Sequence, residues 1–263
     1  MNALLKSRPS PFGVLRLAGS DIAFDEVEPV LPPDGAATKT DSLWARVPEL
    51  DLDRAIAANP RLGAARSGVD AMPFDALRSK LTNLSETKSW KTLAVTSANS
   101  GVGKTTVVAN LALSFARNGG KRVLVLDMNQ KRPGLAAQFA INPRQDIEPL
   151  LSGELDVSSQ AWRLKSDVIL ACAQVRPSGV LSRWDTHRIG ESVTRIANET
   201  GADLVICDLP TFDSGDSTFG FLAQCDGAIA VARQDKCRLS DLDRCERLVA
   251  SQTDFAGFVV NRA

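Results

Sequence analysis

Six short runs decide what this chain can fold into: "KTLAVTS" (91–97), "RVLVLD" (122–127), "DVILACA" (167–173), "ADLVICD" (202–208), "GAIAVAR" (227–233) and "GFVVN" (257–261). Each has an unbroken apolar centre instead of an apolar residue at every second position. A strand without a polar face belongs in a sheet covered on both sides. Between the runs the apolar spacing becomes helical, from Lys104 to about Arg117, through Ile189, Val193 and Ile196, and through Leu242, Cys245, Leu248 and Val249. A shorter helix is expected near "GLAAQFA". Strand and helix in alternation predict an α/β fold, a doubly wound, mostly parallel sheet with helices on both faces.

Residues 1–70 read differently. "SRPSPFG" and "EPVLPPDGAATKTDS" are broken by Pro, Gly and Asp and show no sustained period, so an irregular arm or linker is expected there. Within it "LDLDRAIAANPRL" allows one short helix. The folded domain is expected over 71–263, opening with a helix that carries Phe74, Leu77 and Leu81.

Charge and composition exclude several classes. Lys plus Arg and Asp plus Glu both number 31, so no net field draws the chain to nucleic acid or to an acidic membrane. No apolar stretch approaches the ~20 residues of a membrane span. "MNALLKSRPSPFG" lacks the apolar core of a signal peptide, and a cytoplasmic location is expected. The five cysteines are scattered, with no CxxC pair, and are expected to be reduced and structural. One histidine, His187, argues against a zinc site or a Ser-His-Asp triad.

The chemistry concentrates in "SANSGVGKTT" (97–106), between the first apolar run and the first long helix. The pattern GxxxxGK[ST] is kept at Gly103, Lys104 and Thr105 but begins with Ala98 in place of glycine. Asn99, Ser100, Gly101, Val102 and Gly103 form a loop whose backbone N–H groups can converge on phosphate oxygens, beside a helix N-terminus with its partial positive charge. Lys104 is expected at the β and γ phosphates, Thr105 on Mg²⁺ and Thr106 near the α phosphate. Two apolar runs end in carboxylates, Asp127 and Asp208. Asp208 is expected to hold Mg²⁺, and Asp127 to orient or deprotonate a nucleophile.

The run "LAVTSANSGVGKTTVVANLALSFARNGGKRVLVLDMNQKRP", with "DLVICDLP", "CDGAIAVAR" and "GFVVN", resembles the bacterial P-loop tyrosine kinases of capsule and exopolysaccharide biosynthesis, within the wider MinD/ParA class of ATPases. The resemblance covers residues 70 to 263 and implies ATP and Mg²⁺ as cofactors. It implies a membrane chain-length or export protein as partner, recruitment to the inner face of the membrane through that partner, and a homo-oligomer as one assembly. It also implies that Asn261 reads the adenine. Asn99 stands where MinD/ParA ATPases carry a lysine that reaches across a dimer, which favours the kinase branch. The kinases' D-x-D-x-R pattern here reads Asp127-Met128-Asn129-Gln130-Lys131, and an amide at Asn129 accepts hydrogen bonds but takes no proton near neutral pH. Of their E-x-x-R-x-x-R pattern, Met72, Asp75 and Arg78 keep one position. The sequence has no tyrosine, so tyrosine autophosphorylation has no acceptor. The expected function is therefore an ATP-Mg²⁺-binding regulator of polysaccharide polymerisation or export. The alternatives are a tyrosine kinase acting only in trans, with Asp127 as base, and a positioning ATPase of the MinD/ParA kind.

Overall fold

In a computed structural model of the chain, the described residues are 15–16, 39–129, 132–143, 145–174, 186–212 and 216–261. Seven strands carry the domain: β2 (Thr92–Thr96), β3 (Val123–Asp127), β4 (Ala161–Leu164), β5 (Val168–Ala171), β6 (Leu204–Asp208), β7 (Gly227–Arg233) and β8 (Asp254–Asn261). A two-residue strand, β1 (Leu15–Arg16), pairs with β8 and completes the order β1-β8-β7-β2-β6-β3-β5-β4. Every pairing is parallel except β4 with β5. The doubly wound, mostly parallel sheet expected from the six apolar runs is what forms. All five residues of each of β2, β3 and β6 are buried, as two covered faces require.

One face of the sheet packs on α4 (Lys104–Asn118) and α3 (Met72–Thr87). The other packs on α8 (Thr186–Thr200), α9 (Asp216–Leu222) and α10 (Leu239–Ala250). Eleven of the fifteen residues of α4 are buried, because α3 and the segment before it cover the side turned away from the sheet. The short α5 (Leu135–Gln138) follows β3, as the "GLAAQFA" pattern predicts.

The stretch expected to be an irregular arm is folded from residue 39 onward. Two helices, α1 (Lys39–Arg46) and α2 (Leu52–Ala58), and a 3₁₀ turn at Gly63–Ala65 pack on the domain. Trp44 is 3% exposed, and its indole N–H donates to the Thr200 carbonyl at 2.6 Å. Ala55, Leu62 and Ala64 are buried in the same core as α4. The physical edge of the domain thus lies well before residue 70. The short apolar groups at Trp44–Val47 and Leu62–Ala65 carry too little period to announce it. Sequence reasoning also missed β4, whose "AWRL" has partly exposed central residues because it is an antiparallel strand at the sheet edge.

The cysteines are free thiols. Cys172, Cys207, Cys225 and Cys245 are buried and Cys237 is half-buried. His187 lies within α8. Its side chain, and Gln130 and Lys131 of the Asp127–Lys131 pattern, fall outside the described residues. Among the described residues no helix is long and apolar enough to cross a membrane.

Candidate nucleotide-binding site

The candidate site sits where parallel strands end in the middle of the sheet. β2 lies between β6 and β7, and β3 lies on the far side of β6. The carboxyl ends of these strands converge at the N-terminus of α4. This is where open α/β sheets hold their ligands.

The loop from β2 to α4 depends on two glycines. Gly101 has φ +68° and Gly103 φ +91°, both left-handed, which residues with a Cβ rarely adopt. A Cβ on Gly103 would also fall on the side-chain nitrogen of Asn261. That nitrogen, at the end of β8, donates to the Val102 carbonyl at 2.9 Å and so fixes the loop from below. Asn261, expected at an adenine, is in this structure a support of the phosphate loop.

Lys104 opens α4 and is 8% exposed, its stem enclosed and its charge beside Asp208. The Thr105 hydroxyl donates to Asp208 Oδ2 at 2.6 Å. The other oxygen, Asp208 Oδ1, is buried with no hydrogen-bond partner among the described residues. A buried carboxylate oxygen left without a donor is costly unless a cation satisfies it. Together with the Thr105 hydroxyl it makes an all-oxygen donor set of the kind Mg²⁺ takes. The residues therefore fit the metal.

Asp127 lies beside Asp208 in register across β3 and β6, and neither carboxylate is exposed. Burial, reinforced by the Asp208 charge, raises the Asp127 carboxyl to about 8, against the pull of backbone N–H groups from Leu135, Asn129 and Gly134. Burial likewise raises Asp208, while Lys104 and the Thr105 hydroxyl hold it down. Asp127 Oδ2 accepts from Gly134 N and Leu135 N, both at 2.9 Å, and Oδ1 accepts from Asn129 N at 3.3 Å. A Cβ on Gly134 would stand 3.3 Å from the Thr105 side chain. Asp127 thus shapes the wall behind Thr105 by holding the start of α5. Asn129 Oδ1 accepts from Arg132 N at 3.2 Å.

At the other end of the loop, Asn99 Nδ2 lies 3.5 Å from Asp241 Oδ2 on α10, in the same chain, and Asn99 Oδ1 is buried without a partner among the described residues. Ser100 is exposed, Thr106 is half-buried, and the Thr106 carbonyl accepts from Asn110. The expected loop residues, Lys104, Thr105, Asp127, Asp208 and Asn261 therefore form one cluster.

Two contributors escaped the sequence. Asn110 is fully buried in α4; its amide nitrogen donates to the Arg61 and Thr106 carbonyls, and its oxygen accepts from Ala64 N. Lys236, in the turn after β7, brings its ammonium to the Gly101 carbonyl at 3.5 Å. Neither has a local motif, since Asn110 reaches Arg61 and Ala64 and Lys236 reaches Gly101, all distant in sequence.

A central parallel sheet, a glycine loop feeding a buried Lys-Thr pair, and a strand-end Asp bonded to that Thr define a P-loop nucleotide-binding domain. The chain belongs to the CobQ/CobB/MinD/ParA nucleotide-binding domain family, which residues 93–263 match. It is similar to the septum site-determining protein MinD of Buchnera aphidicola, 29% identical over 165 residues, 60% of this chain and 58% of that protein. It is also similar to the tyrosine-protein kinase CpsD of Streptococcus agalactiae, 24% identical over 196 residues, 72% of this chain and 82% of the kinase. Among solved structures, the chimerical protein CapA2B2 superposes with a TM-score of 0.64 at 16% identity, over 87% of this chain and 99% of that one.

Proposed function

We propose that this chain binds ATP with Mg²⁺ and acts as a nucleotide-gated cytoplasmic regulator of polysaccharide polymerisation or export, through the cytoplasmic segment of a membrane chain-length partner. The observation that carries the binding half is Asp208, with Oδ2 on the Thr105 hydroxyl and Oδ1 buried and unpartnered at the mouth of a left-handed glycine loop. Thr105 and Asp208 would hold Mg²⁺, which supplies charge neutralisation at the phosphates. Lys104 and the loop amides bind and orient the phosphate chain, and Asn261 keeps the loop in shape. The regulatory half rests on the similarity to CpsD, whose name makes it a tyrosine kinase, combined with the features that withhold such chemistry here. The sequence holds no tyrosine, Asn129 replaces a carboxylate, and Asp127 is enclosed and engaged by backbone N–H groups.

A second reading, a kinase acting on a partner's tyrosine, is favoured by that same similarity. The similarity to MinD supports a third, a positioning ATPase, against which stands the placement of Asn99 on Asp241 of its own chain.

One experiment separates them. ATP labelled at the γ-phosphate is incubated with Mg²⁺, the protein and the partner's cytoplasmic segment, with Lys104→Ala as control. Mg²⁺-dependent binding lost in Lys104→Ala, with slow phosphate release and no labelled protein, is the expected result. Label on a partner tyrosine would make the protein a kinase. Absence of binding at about millimolar nucleotide would remove the ATP reading altogether.

A further inference from the structure

The turn between β7 and α10 brings a second cation to the rim of the phosphate loop. Lys236 Nζ lies 3.5 Å from the Gly101 carbonyl and 3.3 Å from where a Cβ on Gly101 would stand. A Cβ there would press on the ammonium, and the left-handed φ of Gly101 already favours glycine. The turn that carries it is tightly closed. Lys236 N and Cys237 N both donate to the Arg233 carbonyl, at 3.1 and 3.0 Å, and Arg233 N reaches Cys237 Sγ at 3.4 Å. The Arg233 guanidinium forks onto Asp235 at 2.6 and 2.8 Å, which occupies the adjacent carboxylate. Lys236 has no carboxylate within ion-pair distance among the described residues, and its charge only adds to the pull of Arg233 that holds the Asp235 carboxyl down.

An ammonium 3.5 Å from a neutral carbonyl is at the outer limit of a hydrogen bond, and a phosphate oxygen competes for it easily. Lys104 is enclosed beside Asp208, on the inner side of the loop. Lys236 is exposed at the rim, on a separate element. Two cations from different parts of the chain therefore bracket the same few loop residues. The turn leads into α10, whose Asp241 receives Arg238 N at 3.1 Å and meets Asn99 at the start of the loop.

We propose that Lys236 is a phosphate-binding residue acting within its own chain, its ammonium passing from the Gly101 carbonyl to a phosphate oxygen of the bound nucleotide. This rests on the nucleotide-binding reading above. The contact is ionic and rim-exposed, so it responds to salt, and a guanidinium at the same position retains part of it.

The test is titration of the full chain with Mg-ATP and Mg-ADP at low and high salt, for the parent, Lys236→Met and Lys236→Arg. Lys236→Met is expected to weaken binding of at least one nucleotide about tenfold, with a shallower salt dependence, and Lys236→Arg to recover most of the loss. The unfolding midpoint of the nucleotide-free protein should not move, which separates a ligand contact from a structural one. Binding by Lys236→Met within about twofold of the parent for both nucleotides would overturn the inference and leave the site reading intact. A parent that binds neither nucleotide would overturn the site reading, and the inference with it.

Discussion

Gly103 shows how much of the site depends on one position. Its left-handed conformation leaves no room for an L side chain, and the space beside it is taken by the Asn261 amide. Gly103→Ala therefore forces a conformation that costs about 1–2 kcal/mol and displaces an amide whose bond to Val102 contributes about 1 kcal/mol. Denaturant unfolding should show a loss of about 2 kcal/mol, and nucleotide titration a loss of binding. Unchanged unfolding and unchanged binding together would contradict the left-handed loop. Gly101 and Gly103 were legible in the sequence because residue type alone marks where φ is free to turn positive. Thr105 and Asp208 were legible as separate signals. Their contact was not, because it spans 103 residues of chain and depends on how β6 is placed against β2. The resemblance implied an adenine contact for Asn261; its bond to the Val102 carbonyl was not legible, because it joins the last strand to a loop 159 residues earlier.

At the scale of elements, the six apolar runs were readable because each strand is buried on both faces and needs no partner to reveal it. The strand order was not, since β3 and β2 both flank β6, which follows them by many residues. The pairing of Asp127 with Asp208 is a product of that order. The junction of α3 and α4 was likewise hidden. Asp75 on α3 accepts from Ser114, Arg117 and Asn118 on α4, so one carboxylate ties the two helices. Burial raises the Asp75 carboxyl, but hydrogen bonds from Arg117 and Ser114, and the charges of Arg117 and Arg78, outweigh it and hold it below its usual value. A carboxyl depressed in the folded state binds fewer protons there than in the unfolded chain. Its contribution is thus present above the ordinary value near 4 and is lost as pH falls below it. Asp75→Asn should unfold more easily than the parent at neutral pH, and the difference should shrink on acidification below about pH 4. Urea midpoints across that range measure it. A pH-independent difference would mean that Asp75 acts through shape instead of charge.

For the whole molecule the question is where the folding unit begins. If the chain before residue 70 were a tether, changes there would leave the domain's unfolding untouched. The contacts say otherwise. Trp44 is buried against α8, its indole N–H pairs with Thr200, and the Arg122 guanidinium lies 5.4 Å from its ring centroid. On the opposite face Asn110 fastens Arg61 and Ala64 to α4, and Asn59 donates to the Gln138 carbonyl at the end of α5. The segment from α1 to the 3₁₀ turn therefore touches both layers of helices. It reaches the two elements that carry Thr105 and the wall behind it. Removing a buried tryptophan side chain costs about 3–5 kcal/mol, which for a domain of this size lowers the unfolding midpoint by of order 10 °C. Trp44→Ala should show that drop in a single transition, followed by both circular dichroism and tryptophan fluorescence. Addition of nucleotide should recover part of it, because a ligand that binds the folded state stabilises everything folded with it. An unshifted midpoint, or an early separate transition before the main one, would return residues 39–66 to the role of an independent arm.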